Sequence, residues 1–226
     1  MVGIICAEPR ELDAIKDYMK GSLVEEKYGN KFYIGDVGNR RFVMTLCGTG
    51  KVNAARTAQI LIDNYKPDYI INCGVAGGIN NVVKIGDIVV GEKLVQHDFD
   101  TTAFGREKGE ISNIGKFFYS DKALVEKAYN IILGDETING LVGTIASGDQ
   151  FITDPEISKW INQEFNADCC EMEGAAIAQV CYLDKVPFIV IRSISDTPNG
   201  NNKVDFDTFI ESASKTVAKF VFAFVK

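Results

Sequence analysis

The stretch Val186-Pro187-Phe188-Ile189-Val190-Ile191-Arg192-Ser193-Ile194-Ser195-Asp196 decides the fold. Its first six residues are a continuous apolar run, without the alternation of a strand that keeps one face in water. A strand buried on both faces is predicted over residues 186–191. Polar groups then emerge together where the strand is expected to finish. Open parallel sheets bind ligands beyond the carboxyl ends of their strands, so this junction predicts a site as well as a strand.

Similar runs recur upstream. Residues 2–7, 69–74, 85–90 and 141–147 read as strands, and residues 32–34 and 42–47 as a hairpin joined by Gly35-Asp36-Val37-Gly38-Asn39-Arg40. Between them lie helical patterns. One starts at Pro9, carries Leu12, Ile15 and Met19 on one face, and runs to about Lys20. A second opens at Gly48-Thr49-Gly50-Lys51-Val52 and places Val52, Ala55, Ala58, Leu61 and Ile62 on its apolar side. Asp121 caps a third to about residue 133, Asp154-Pro155 starts a fourth, residues 174–183 form a fifth, and the stripe from Phe206 to Phe224 marks a long C-terminal helix. Alternating strands and helices predict one α/β domain over residues 1–226, three layers α/β/α around a central mixed, largely parallel sheet.

Composition sets the class of partner. With 46% hydrophobic and 24% charged residues the chain matches a globular protein, which sets aside disorder. A net charge of −7 without a basic stripe argues against nucleic acid, whose phosphates are met by clustered Lys and Arg. Residues 1–11 lack a basic segment and cleavage site, and no apolar run nears the length of a membrane span, so a cytoplasmic location off the membrane is expected. The six cysteines stand at irregular distances in apolar runs without CxxC pairs, and are read as reduced, buried thiols.

Two nucleotide-binding motifs are approached but not matched. Around Gly50-Lys51 a Walker loop needs Gly at position 45 and Ser or Thr at position 52, where Thr45 and Val52 stand, and Val75-Ala76-Gly77-Gly78 does not match GxGxxG. The one histidine, His97, has no second histidine with which to build a metal site and is read as structural. The stretch Cys169-Cys170-Glu171-Met172-Glu173-Gly174-Ala175-Ala176 is more informative. It sets two carboxylates into an apolar run, where an acid must be paired, hydrogen-bonded or protonated. Glu11, Glu173, Arg192 and Asp196 all fall just after predicted strands, on one edge of the fold. Carboxylates able to act as base, acid and hydroxyl acceptor, with Phe151 as a face for a planar base, point to glycoside or nucleoside hydrolysis.

In order along the chain, Gly3-Ile4-Ile5-Cys6-Ala7 with Glu11, Gly48-Thr49-Gly50-Lys51-Val52-Asn53, Asn72-Cys73-Gly74-Val75-Ala76-Gly77-Gly78, Ser147-Gly148-Asp149-Gln150-Phe151-Ile152, Glu171-Met172-Glu173-Gly174 and Arg192-Ser193-Ile194-Ser195-Asp196 resemble the 5′-methylthioadenosine/S-adenosylhomocysteine nucleosidases of the nucleoside phosphorylase/hydrolase superfamily. The resemblance runs nearly end to end and implies a nucleoside phosphorylase-like fold, with neither cofactor nor metal. It implies Asp196 as the acid at adenine N7, Glu11 as the base for the attacking water with Arg192 close to that water, and Glu173 as acceptor of the ribose 2′- and 3′-hydroxyls. Phe151 would stack on adenine, Ile152 and Gly77 would line its edge through backbone groups, Met172 would pack on the ribose, and Val75 and Phe206 would complete the substrate wall. A homodimer is implied, in which Phe104 closes the partner's pocket.

The chain also departs from the family pattern. Val75 stands where Ser is frequent, Thr49 where Ile is common and Glu8 where Met is common, which bears on the 5′ substituent rather than on the chemistry. Three alternatives stay open at this point: a phosphate-dependent phosphorylase of the same superfamily, a nucleoside-binding protein without catalysis, and a metal-dependent hydrolase, which the lack of a His cluster disfavours.

Overall fold

The computed structural model describes residues 1–19, 23–197 and 202–226, the last stretch with side chains from residue 205 onward. The end of the first predicted helix at Lys20 lies outside the described residues; the helix itself, α1, spans Pro9–Tyr18. Around it run β1 (Val2–Cys6), β2 (Leu23–Lys27), β3 (Asn30–Val37), β4 (Arg40–Leu46), α2 (Lys51–Tyr65) and β5 (Tyr69–Gly78). Next come β6 (Ile88–Gln96), β7 (Phe118–Tyr119), α3 (Lys122–Gly134), β8 (Gly140–Ser147), α4 (Pro155–Phe165), β9 (Cys169–Glu171), α5 (Gly174–Asp184), β10 (Phe188–Asp196) and α6 (Asn202–Val225).

All ten strands join one mixed sheet. β1 pairs in parallel with β4 and β5, and β5 in parallel with β10, which is the core of the parallel region. β6, β8 and β9 continue it in parallel, while β10 meets β6 and β9 meets β5 antiparallel. The path β10-β6-β8-β9-β5 therefore returns to β10, so five strands close on themselves and leave no free edge there. The hairpin strands β3 and β2 extend the other side beyond β4.

Helices cover both faces. Side chains of α1, α3 and α6, including Ile15, Ala128 and Phe220, pack with Ile4, Ile71 and Ile191 in one core. Those of α2 and α5, including Leu61 and Ile177, pack with Ile5, Ile70 and Val190 in the other. Alternate residues of β1, β5 and β10 thus feed opposite cores, which is why these strands read as unbroken apolar runs. The predicted caps are formed: Asp121 accepts from Ala123 N and Leu124 N, and Asp154 from Glu156 N.

Several boundaries differ from the sequence reading. The strand predicted to finish at residue 191 continues to Asp196, because Arg192, Ser193 and Ser195 are buried inside the sheet rather than released from it. The third buried strand starts at Ile88 and runs to Gln96 through an irregularity between Gly91 and Lys93. On α2, Val52 is exposed, and Ala54, Thr57, Ala58 and Leu61 form the inward face. The segment between β6 and α3 holds β7 and buries Phe118. In the edge strand β2 the exposed pair Leu23-Val24 is followed by Glu25, Glu26 and Lys27, a pattern too short and too charged to read as a strand from sequence.

Candidate active site

A cavity of about 380 Å³ opens beyond the carboxyl ends of β1, β5 and β10, as the rule for parallel sheets requires. Its wall is mostly apolar and is built by Ala7 after β1, Val75, Ala76 and Gly77 of β5, Cys170 of β9, and Met172, Phe151 and Phe206. Phe151 and Phe206 meet edge to face, with ring centroids 5.5 Å apart. The polar side chains on the wall are Glu8, Glu11, Thr49, Glu171, Glu173 and Ser195. Among the described residues, the wall holds no lysine, arginine or histidine.

Glu11 is fixed by three backbone N–H groups. Ala7 N and Glu8 N each donate to its Oε2 at 2.9 Å, and Val75 N donates to its Oε1 at 2.9 Å. The turn between β1 and α1 supplies two of these donors and β5 the third. Burial pushes the Glu11 carboxyl above the usual range, opposed by Arg192 and by these three donors. Gly74 makes the arrangement possible, because a Cβ there would stand 2.3 Å from Glu11 Oε1.

Glu173 precedes α5 and reaches across the cavity to the start of α2, where Gly50 N donates to its Oε1 at 2.8 Å. Burial, and then the neighbouring Glu171, push its carboxyl up to about 8. The loop that failed as a phosphate loop therefore serves the site in another way, by holding a carboxylate through its backbone.

Glu171 lies one residue before Met172 and is buried by partners. It pairs with the Arg192 guanidinium, accepts from Ser147 Oγ, and accepts from Gly174 N at 2.7 Å and Glu173 N at 3.2 Å. Arg192 also donates to Asn72 Oδ1 at 2.5 Å and is 2% exposed. Its guanidinium thus sits behind the wall, within the sheet. Burial alone would lower its pKa, but the Glu171 and Glu11 carboxylates hold it above the ordinary arginine value.

Asp196 ends β10 and is 2% exposed. Ser195 Oγ donates to its Oδ1 at 2.8 Å, and its Oδ2 would lie 3.0 Å from a Cβ at Gly77, which sets the carboxyl directly behind the cavity wall.

Of the residues singled out from the sequence, Glu11, Val75, Gly77, Phe151, Met172, Glu173 and Phe206 line this one cavity, and Asp196 stands against Gly77. Ile152 is buried with Ile79, Val95 and Ile161 in a separate cluster, and its side chain is not on the wall. Phe104 lies in a short 3-10 turn, 85% exposed and away from the wall. Ala7, Ala76, Cys170 and Ser195 also line it and were not singled out; each sits beside a motif residue, which is the signal that could have found them.

The family model of the phosphorylase superfamily matches residues 1–226, which defines the class to which this fold and cleft belong. The chain is 39% identical over 226 residues to the 5′-methylthioadenosine/S-adenosylhomocysteine nucleosidase of Shewanella loihica, covering 100% of this chain and 98% of that protein. The crystal structure of the same enzyme from Neisseria meningitidis in complex with methylthio-immucillin-A superposes with a TM-score of 0.96 at 34% identity, over 100% of this chain and 98% of the other. A futalosine hydrolase of Helicobacter pylori superposes with a TM-score of 0.95 at 33% identity, over 99% and 96%. The chain belongs to the family of 5′-methylthioadenosine/S-adenosylhomocysteine nucleosidases within that superfamily.

Proposed function

We propose that the chain is an N-glycosidic hydrolase that cleaves 5′-thio-substituted adenosines with water, giving adenine and the 5-substituted ribose. The observation that carries this reading is the cavity wall, which is apolar apart from carboxylates and hydroxyls and has no described cation. Such a wall admits a neutral nucleoside and a water molecule. It repels phosphate, which a phosphorylase would have to hold against Glu11 with charge-assisted donors. The names and the bound inhibitor of the relatives support the same substrate class.

In this reading Asp196 donates its proton to adenine N7 as the C1′–N9 bond breaks, so that adenine leaves neutral while positive charge develops on the ribosyl group. Glu11 takes a proton from water as the water oxygen bonds to C1′. Three backbone donors orient Glu11, and the Arg192 charge favours its ionised form. Glu173 accepts the ribose hydroxyls, with Met172 against the sugar and Phe151 against the base. Arg192 is then a positioning residue, acting through Glu171 and through its field. Neither cofactor nor metal takes part in these steps.

Further features extend the proposal. The exposed Phe104 suits a homodimer in which this ring closes the partner's pocket. Six free cysteines fit the reducing cytoplasm, and the products fit a role in methionine and purine salvage. A nucleoside-binding protein without catalysis would need neither Glu11 nor Asp196, yet both are present and buried at the cavity. Adenine release from 5′-methylthioadenosine tests the assignment. Asp196→Asn and Glu11→Gln should each lower turnover by about a hundred- to ten-thousand-fold while nucleoside binding persists. Full turnover by either variant would remove that residue from its role.

A further inference from the structure

One end of the cavity breaks its apolar lining. Glu8, immediately before α1, and Thr49, in the turn before α2, both line the wall, and Thr49 Oγ1 donates to Glu8 Oε1 at 3.0 Å. Although 41 residues apart in sequence, they form one contact. The pair belongs to the sugar end of the cleft. Thr49 adjoins Gly50, which holds Glu173, and Glu8 N–H holds Glu11. The far end is the Gly77 and Ser195 region beside Asp196.

The Glu8 side chain takes part in the capping box of α1 with the Glu11 N–H and accepts from Thr49, which leaves about two of its four acceptor sites to a ligand. Among the described residues no lysine or arginine forms an ion pair with Glu8. A bare alkylthio group placed here would strip water from the carboxylate and return nothing. An ammonium would replace that water with a charge-assisted hydrogen bond.

We propose that Glu8 and Thr49 form the selector for the 5′ substituent, favouring an extension that carries an ammonium or hydroxyl donor over one that ends in alkyl carbon. This rests on the nucleosidase reading, which orients the nucleoside in the cleft. Of the two nucleosides in the relatives' names, S-adenosylhomocysteine carries an α-ammonium and an α-carboxylate on its 5′ extension, of which Glu8 would meet the ammonium, whereas methylthioadenosine ends in a methyl group.

The test compares kcat/KM for adenine release from 5′-(3-aminopropylthio)-5′-deoxyadenosine and from its 5′-butylthio isostere, using wild type, Glu8→Met and Glu8→Gln. Wild type should favour the amine by about tenfold or more. Glu8→Met should reverse the preference and Glu8→Gln should leave it between the two. A wild-type ratio at or below one, which needs no variant to fold, overturns the selector, as does a ratio that Glu8→Met leaves unchanged. Absence of adenine release from every nucleoside, methylthioadenosine included, overturns the nucleosidase reading and the selector with it, a result distinct from release without discrimination.

Discussion

Arg192 and Glu171 make the most exacting pair at the residue scale, a guanidinium and a carboxylate each almost sealed from water within the sheet. Such a pair contributes little net stability against an apolar replacement, but breaking it leaves a charge buried without a partner. Arg192→Met should therefore lose about 3–5 kcal/mol of folding stability in urea titrations. The double variant with Glu171→Leu should recover much of that loss, and a double variant no more stable than the single one would contradict the pairing. Glu173 makes a prediction in pH. The unfolded chain releases its proton near the ordinary glutamate value of about 4.3, whereas the folded chain holds it to about 8. Between those values the folded state binds more protons, so stability is fully present below the window and is lost as pH rises through it. The wild-type stability of the unliganded protein should fall from pH 5 to pH 8 more steeply than that of Glu173→Gln; equal slopes would place the Glu173 carboxyl in the ordinary range. The sequence marked both acids, Glu171 and Glu173, as needing a partner, a hydrogen bond or a proton, because each stands in an apolar run. It could not name the partner of Glu171 as Arg192, which lies 21 positions away on β10 and is brought close because β9 and β10 both pair with β5.

At the scale of elements, the site depends on how closely β5 passes α1. The distance from a Cβ at Gly74 to Glu11 Oε1 would be 2.3 Å, but the atom in the way is the end of a flexible side chain. Gly74→Ala should therefore fold and displace the carboxylate. An ångström of misplacement at a reacting group lowers the rate by about a hundredfold, so kcat for adenine release should fall by at least that. The unfolding midpoint should fall too, because the buried N–H donors of Ala7, Glu8 and Val75 lose their acceptor. Unaltered kcat would show that the Glu11 position is not what the chemistry needs. Elements with local signals were legible in the sequence: the caps at Asp121 and Asp154, the proline at the start of α1, and the apolar runs of β1, β5 and β10. Strand ends were not, because a polar residue such as Ser193 or Arg192 continues a strand only if distant partners or packing bury it. Likewise Val52 has the helical spacing of a core residue, yet α2 turns Ala54, Ala58 and Leu61 inward instead.

For the whole molecule, the closed path of five strands gathers groups distant in sequence at one mouth, with Glu11 from the first helix, Gly77 from β5, Glu173 before α5 and Asp196 from the last strand. The alternation of apolar runs and helices made the α/β layers legible. The ring closure was not, since it depends on β10 crossing to both β5 and β6, a pairing with no local signature. A sheet of this kind leaves water and phosphate as the competing nucleophiles, and the nucleosidases that the chain resembles over its whole length speak for water. The decisive measurement is product analysis with 5′-methylthioadenosine in ¹⁸O-labelled water containing millimolar phosphate. A hydrolase gives adenine and free 5-methylthioribose with the label at C1, at a rate independent of phosphate; accumulation of 5-methylthioribose 1-phosphate, or a rate that rises with phosphate, would contradict it.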